Sequence, residues 1–338
     1  MILCFQHISI NQEIVYHMKA AIYDQPGKPE VLYYTEVPDP LPAKGEILIK
    51  VEAISIEGGD IGGRRSTVPP YKGYVGGYAA SGEILELGAG VTAFEVGQKV
   101  TTFAFAGSHS SLRAVPAAQS WLVPQGMDMQ LAAAALIGGG TAAQALAQAG
   151  LKKGETVLVL GAAGGVGVPT LQLASKLGAR VLGTGSSAET LEELRDYGLT
   201  DPVVLDEKPI AEKVKSLLDG GAVDVLIDTV GVADLQDILP AVKDGGRVVV
   251  LGAFESSKAT LSIMYILAHR LVIHGCLLGK ALVDEGVYER MATALEQAAS
   301  GELKVPIDQV FPLSEAAAAH ARAEARGKIG RVLMVPDL

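Results

Sequence analysis

At 338 residues the chain is long enough for about two domains with real hydrophobic cores. It is 49% hydrophobic and 20% charged, with no apolar run near the ~18 residues that a membrane span needs. Its 28 Lys and Arg against 38 Asp and Glu leave a net charge of −10, and no basic block interrupts it, which argues against nucleic acid or a membrane surface as a partner.

Residues 1–17, MILCFQHISINQEIVYH, lack a cationic segment and a small-residue cleavage site, so they read poorly as a signal peptide. Met18 opens a strand-like segment, and 1–17 is therefore set apart as an N-terminal extension. Cys4 and Cys276 are the only cysteines, and neither belongs to a CxxC pair. A disulfide framework or zinc ribbon is not expected, which suits a reducing, cytoplasmic setting.

From Met18 the apolar and polar residues alternate in short runs: MKAAIY, GEILIKVEAI, SGEILELGAG and QKVTTFAF. Turns at Asp39-Pro40, Gly58-Gly59 and Gly62-Gly63 separate them, so a compact, mainly β lobe is expected. At Asp128 the pattern changes to an Ala-rich helix, with an interruption expected at Gly138-Gly139-Gly140. Five apolar runs alternating with amphipathic helices follow: TVLVLG (156–161), ARVLGTG (179–185), PVVLD (202–206), VDVLIDTVG (223–231) and GRVVVLGAF (246–254). Such runs predict a parallel sheet covered on both faces, that is, a doubly wound α/β domain. The alternation ends near Ile273, and VFPLSEAAAAHARAEARGKIGRVLMV supplies a helix and a last strand that can return to the first lobe.

The strongest motif is the turn between the first of these strands and its helix: Gly161, Ala162, Ala163, Gly164, Gly165, Val166 and Gly167. Small residues there let backbone approach a pyrophosphate, and the helix N-terminus offers N–H groups and partial positive charge. The second strand ends at Gly185, followed by Ser186 and Ser187. No carboxylate stands there to repel a 2′-phosphate and two hydroxyls can donate to one, so NADP(H) is expected in preference to NAD(H).

AAGGVG, together with MKAAIYDQPGKPEVLYYTEVPDPLPAKGEILIKVEAISI, GAGVTAFEVGQKV and GKIGRVLMV, resembles the zinc-independent quinone oxidoreductases (the zeta-crystallin-like group) of the medium-chain dehydrogenase/reductase family over residues 18–336. The resemblance implies an α/β chain with a discontinuous GroES-like catalytic domain, 18–135 and 275–338, around a Rossmann cofactor domain at 136–274. It implies further cofactor contacts at Thr229, Val230, Gly252, Ala253, Phe254 and Leu278, and at Arg326, which matches a phosphate-binding arginine. Glu57 stands where relatives have an Asn, with Asp60 and Arg64 in register. Tyr78 and Glu57 are the pocket candidates, although either can equally be an ordinary surface or packing residue. Thr141 matches a threonine near the nicotinamide, or else caps a helix. A homodimer is expected.

Zinc relatives bind their catalytic metal through Cys and the His of Gly-His-Glu. Here that stretch reads Gly77-Tyr78-Ala79, and the six histidines show no ligand spacing, so no metal site is expected. None of the ten tyrosines has a lysine four residues on, which sets aside a short-chain dehydrogenase. The expected reaction is hydride transfer to a small electrophile, either a quinone or a carbonyl-conjugated alkene. An enoyl-thioester reductase and a non-catalytic NADPH-binding protein are the alternatives.

Overall fold

The computed structural model describes residues 17–253 and 258–337. The expected extension therefore lies outside them apart from His17, and so does Phe254 of the expected cofactor set.

The first lobe is built on the strand Glu46–Ser55, whose side chains alternate so that Ile47, Ile49 and Val51 are buried on one face. It is central to a seven-stranded sheet that runs Ile307–Pro312, Arg331–Val335, Glu46–Ser55, Ala79–Leu87, Lys99–Phe103 and Ser120–Leu122, with Leu112–Pro116 also paired to Glu46–Ser55. The C-terminal strand returns here as expected, pairing Met334 with Ile54 and Leu333 with Ser55. A three-stranded sheet of Tyr33–Pro38, His17–Tyr23 and Tyr74–Val75 covers it.

The second lobe is a six-stranded parallel sheet: Asp201–Val204, Arg180–Gly185, Thr156–Leu160, Val223–Asp228, Val242–Val250 and Val272–Gly275. In chain order this is 3-2-1-4-5-6, the doubly wound arrangement. Alternate residues feed opposite faces. Val157, Val159, Val181, Val225, Ile227 and Val249 join one core, while Leu158, Leu160, Leu182, Leu226 and Val248 join the other. The five expected runs are all strands. The sixth, Val272–Gly275, is an edge strand with no fully buried residue, so it lacks the continuous apolar signature of its neighbours. His274 on it is half-buried.

The helix Met129–Ala149 joins the lobes. It packs on the strands Glu46–Ser55 and Ala79–Leu87 of one lobe, on the helix Gly167–Lys176 of the other, and on the helix Val287–Ala299. The boundary inferred at 135/136 falls within it. Asp128 caps its start, accepting from Gln130 N–H at 2.9 Å and Leu131 N–H at 3.1 Å, and Gly150 closes it in the left-handed region. The interruption expected at Gly138-Gly139-Gly140 does not occur. These glycines allow close approach instead: a Cβ would stand 2.2 Å from the Gly165 carbonyl oxygen at Gly138, 2.8 Å from Ala294 Cβ at Gly139 and 2.5 Å from Met291 Cγ at Gly140. Among the described residues no helix is long and apolar enough to cross a membrane.

Candidate active site

Residues 161–167 form the turn between the strand Thr156–Leu160 and the helix Gly167–Lys176, and no side chain caps that helix. The glycines of this turn serve different purposes. Gly161 has φ +72°, and a Cβ there would stand 2.5 Å from Val230 Cγ2 and 2.8 Å from Thr229 Oγ1. At Gly167 a Cβ would strike the carbonyls of Gly161 and Ala162, and at Gly165 it would stand 2.1 Å from Arg331 Nε. Gly164 alone of these faces outward, its nearest neighbour being the Gly161 carbonyl at 3.3 Å.

Two residues that sequence reasoning passed over order the neighbouring turns. Thr184 Oγ1 accepts from Gly161 N–H at 3.1 Å. Asp228, buried at the end of its strand, accepts from the N–H groups of Val230, Gly231 and Val232 at 2.9–3.1 Å. Thr229 Oγ1 donates to the Leu160 carbonyl at 2.7 Å. A Cβ at Gly252 would stand 2.2 Å from the Thr229 carbonyl oxygen. Thr229, Val230 and Gly252 thus lie beside the turn, with Ala253 following. The carboxylate of Asp228 ends an apolar run, which is the signal that could have marked it.

Gly330 N–H donates to the Ala163 carbonyl at 2.9 Å, so the first lobe's last strand starts beside the turn. This places Arg331, 6% exposed, against Gly165, with its Nη2 2.6 Å from Glu57 Oε2. Arg331 was missed, although a lone arginine within an apolar terminal strand was a readable signal. Arg326 is exposed in the bend after the helix Ala316–Glu324.

Glu57 is 3% exposed and precedes the helix Gly58–Ser66, its N–H donating to Asp60 Oδ2 at 2.8 Å. Ser55 Oγ donates to Glu57 Oε1 at 2.8 Å. Burial pushes the Glu57 carboxyl up to about 7, against the opposing pull of the Arg331 guanidinium. Tyr78 packs edge-on to Phe105 with ring centroids 5.3 Å apart, and burial followed by the Asp60 charge pushes its phenol up to about 12. It lines a cavity of about 310 Å³ together with Gly59, Asp60, Phe105 and His109. Leu278, 5% exposed, joins the same apolar cluster as Tyr78 and Phe103. Thr141 is buried in the middle of Met129–Ala149, so capping is not its role. Gly185 ends its strand, and Ser187 caps the next helix by accepting from Thr190 N–H at 3.1 Å. Its hydroxyl proton is left for another acceptor.

These residues fit a dinucleotide. The outward face of Gly164 leaves room, the helix N-terminus is uncapped, and the buried Arg331 Nε has no hydrogen-bond partner among the described residues. No three His, Cys, Asp or Glu side chains among the described residues come together as a metal-binding group.

Two family models match: the alcohol dehydrogenase GroES-like domain over residues 43–191 and the zinc-binding dehydrogenase over 165–300. The quinone oxidoreductase of Pseudomonas aeruginosa is 31% identical over 330 residues, covering 92% of this chain and 97% of that protein. A 2-haloacrylate reductase of Burkholderia sp. is 29% identical, covering 94% of this chain and 99% of the relative. Among solved structures, Escherichia coli quinone oxidoreductase complexed with NADPH superposes with a TM-score of 0.89 at 27% identity, covering 94% of this chain and 100% of that one. The chain belongs to the zinc-independent quinone oxidoreductase group of the medium-chain dehydrogenase/reductase family.

Proposed function

We propose that the protein is an NADPH-dependent reductase of quinones or carbonyl-conjugated alkenes. The observation that carries the proposal is the outward-facing Gly164 turn, with Glu57 held to Arg331 beside it and the Tyr78 cavity on the same lobe as that pair. When bound, the nicotinamide supplies the hydride. Gly164 and the N-terminus of Gly167–Lys176 seat the pyrophosphate, and Arg331 offers it a buried guanidinium. Ser186 and Ser187, with no carboxylate at Gly185, suit a 2′-phosphate, in keeping with the NADPH-bound neighbour. Tyr78 retains its proton at neutral pH and can donate to an oxygen on which charge develops. A quinone or enone spreads the incoming charge onto such an oxygen, so hydrogen-bond donors suffice where a simple alcohol would need its proton removed and its alkoxide stabilised.

A cytoplasmic setting is proposed from the cysteine usage, Cys276 being free and buried. A homodimer is proposed from the cofactor sheet's edge strand Val272–Gly275 and the exposed Ile263, Met264 and Leu267 on the preceding helix.

The test is NADPH oxidation in the presence of a chelator. Phenanthrenequinone or an α,β-unsaturated ketone should be reduced while ethanol is not oxidised. A chelator-sensitive, zinc-restored alcohol dehydrogenase activity would overturn the proposal. Cofactor binding without turnover on any quinone, enone or enoyl thioester would favour the non-catalytic role.

A further inference from the structure

Beyond Tyr78 the cavity has a polar floor that the proposed reaction does not use. Asp60, His109 and His320 line it, from the helix Gly58–Ser66, the segment before Leu112–Pro116 and the helix Ala316–Glu324. They are 6%, 2% and 1% exposed. The two imidazoles meet edge to face, with centroids 5.1 Å apart. His109 is seated over Gly77, where a Cβ would stand 2.3 Å from its ring.

These groups do not satisfy one another. His109 Nε2 stands 3.7 Å from Asp60 Oδ2, too far for a hydrogen bond. His320 Nδ1 accepts from Arg64 Nε at 3.3 Å, so the proton of its ring sits on Nε2. Burial first, with the Arg64 guanidinium adding to it, holds the His320 pKa well below the usual histidine value, and the ring is neutral. Asp60 Oδ1, both nitrogens of His109 and Nε2 of His320 are buried with no hydrogen-bond partner among the described residues. Such groups call for an explanation, and a ligand that matches them is one.

The chemistry of the floor selects the ligand. The Arg64 guanidinium is already engaged by Glu324 and the Gly27 carbonyl, so it is not held open for a carboxylate or phosphate. What remains is a carboxyl oxygen that accepts, an imidazole N–H that donates, and a second imidazole that contacts both neighbours. A hydroxyl group answers both, since one oxygen donates and accepts. The walls are apolar or aromatic, with Tyr23, Tyr74, Phe105 and Pro69, and about 310 Å³ suits a single ring.

We infer that this cavity recognises a neutral, hydroxyl-bearing ring of the substrate, with Asp60 accepting from its hydroxyl, His320 donating to it and His109 orienting it. The inference rests on the reductase reading in one respect: the ring belongs to the electron-poor acceptor, whose reactive end lies toward Tyr78.

The test uses benzylacetone, the saturated product analogue, and its meta-hydroxyphenyl derivative, titrated by calorimetry into the full chain with NADP+ present. The hydroxylated ketone should bind at least about tenfold more tightly. The corresponding enones, benzalacetone and its meta-hydroxyphenyl derivative, should show the same preference in KM with little change in kcat. His109→Phe should erase the preference and His109→Gln should restore part of it. Equal affinity of wild-type protein for the two ketones, or no binding of either, overturns the inference, as does a preference that survives His109→Phe. Should His109→Phe fail to fold, the wild-type ligand pair decides alone. Reduction of phenanthrenequinone with equal ketone affinities leaves the proposed function standing and removes the cavity assignment. A tenfold ketone preference with no turnover of any acceptor does the reverse.

Discussion

At the scale of single residues, Gly164 and Glu57 carry the most specific expectations. Because a Cβ at Gly164 meets only the Gly161 carbonyl oxygen at 3.3 Å, Gly164→Val should fold while filling the space where a pyrophosphate must approach. NADPH affinity, measured by fluorescence titration, should fall about a thousandfold, or about 4 kcal/mol. Unchanged affinity in a folded variant would move the site elsewhere. Glu57 is a carboxyl whose folded-state pKa, about 7, is raised above its ordinary 4.5. The folded protein holds that proton more tightly than the unfolded chain does, so the contribution to stability is fully present below pH 4.5 and is lost as pH rises through about 7. The loss should reach up to about 3 kcal/mol, and Glu57→Gln should flatten that part of the stability profile. Urea midpoints taken across this pH window check it, and a wild-type profile that rises between pH 4.5 and 7 as steeply as the variant's would refute it.

At the scale of elements, the helix Met129–Ala149 and the turn at 161–167 act as a pair. A glycine run usually weakens a helix, by about 1 kcal/mol per residue relative to Ala. Here Gly138 is needed because the Gly165 carbonyl lies where a side chain would stand. Gly138→Ala should therefore gain helix propensity and still lose overall, by about 1–3 kcal/mol, since backbone must move to admit the methyl group. The displaced backbone belongs to the turn, so NADPH affinity should fall as well, by about tenfold for each 1.4 kcal/mol of strain that reaches it. Denaturant midpoints and cofactor titration on the same variant separate the two effects. A more stable variant with unchanged affinity would show that the contact is slack.

At the scale of the whole molecule, the edge strand Val272–Gly275 leaves one side of the cofactor sheet unpaired, and Ile263, Met264 and Leu267 lie exposed on the adjoining helix Ile263–His269. Covering them with a second copy would bury both. Leu267→Lys should convert a dimer to monomer in sedimentation equilibrium without disturbing the sheet, because Leu267 is 63% exposed. A wild-type chain that sediments as a monomer would dispose of the assembly.

Much of this protein is written in local sequence. Runs such as TVLVLG and VDVLIDTVG specify buried parallel strands because both faces of the sheet demand apolar side chains, and the turn at 161–167 declares itself because backbone can approach a phosphate only where side chains are absent. The return of the last strand to the first lobe could be read from where the βα alternation ends, whereas the order of the strands and the seating of Glu57 followed from resemblance or were left open. The edge strand at Val272 was hidden because a half-exposed strand needs no continuous apolar run, and the glycines at 138–140 misled because close packing and helix breaking use the same residue. Only the tertiary structure decided which glycine faces outward and which makes room for Arg331, and that Glu57 and Arg331, far apart in sequence, share one buried ion pair. It likewise brought Asp60, His109 and His320 together. Their meeting depends on how helix and sheet are stacked, and no spacing along the chain encodes that.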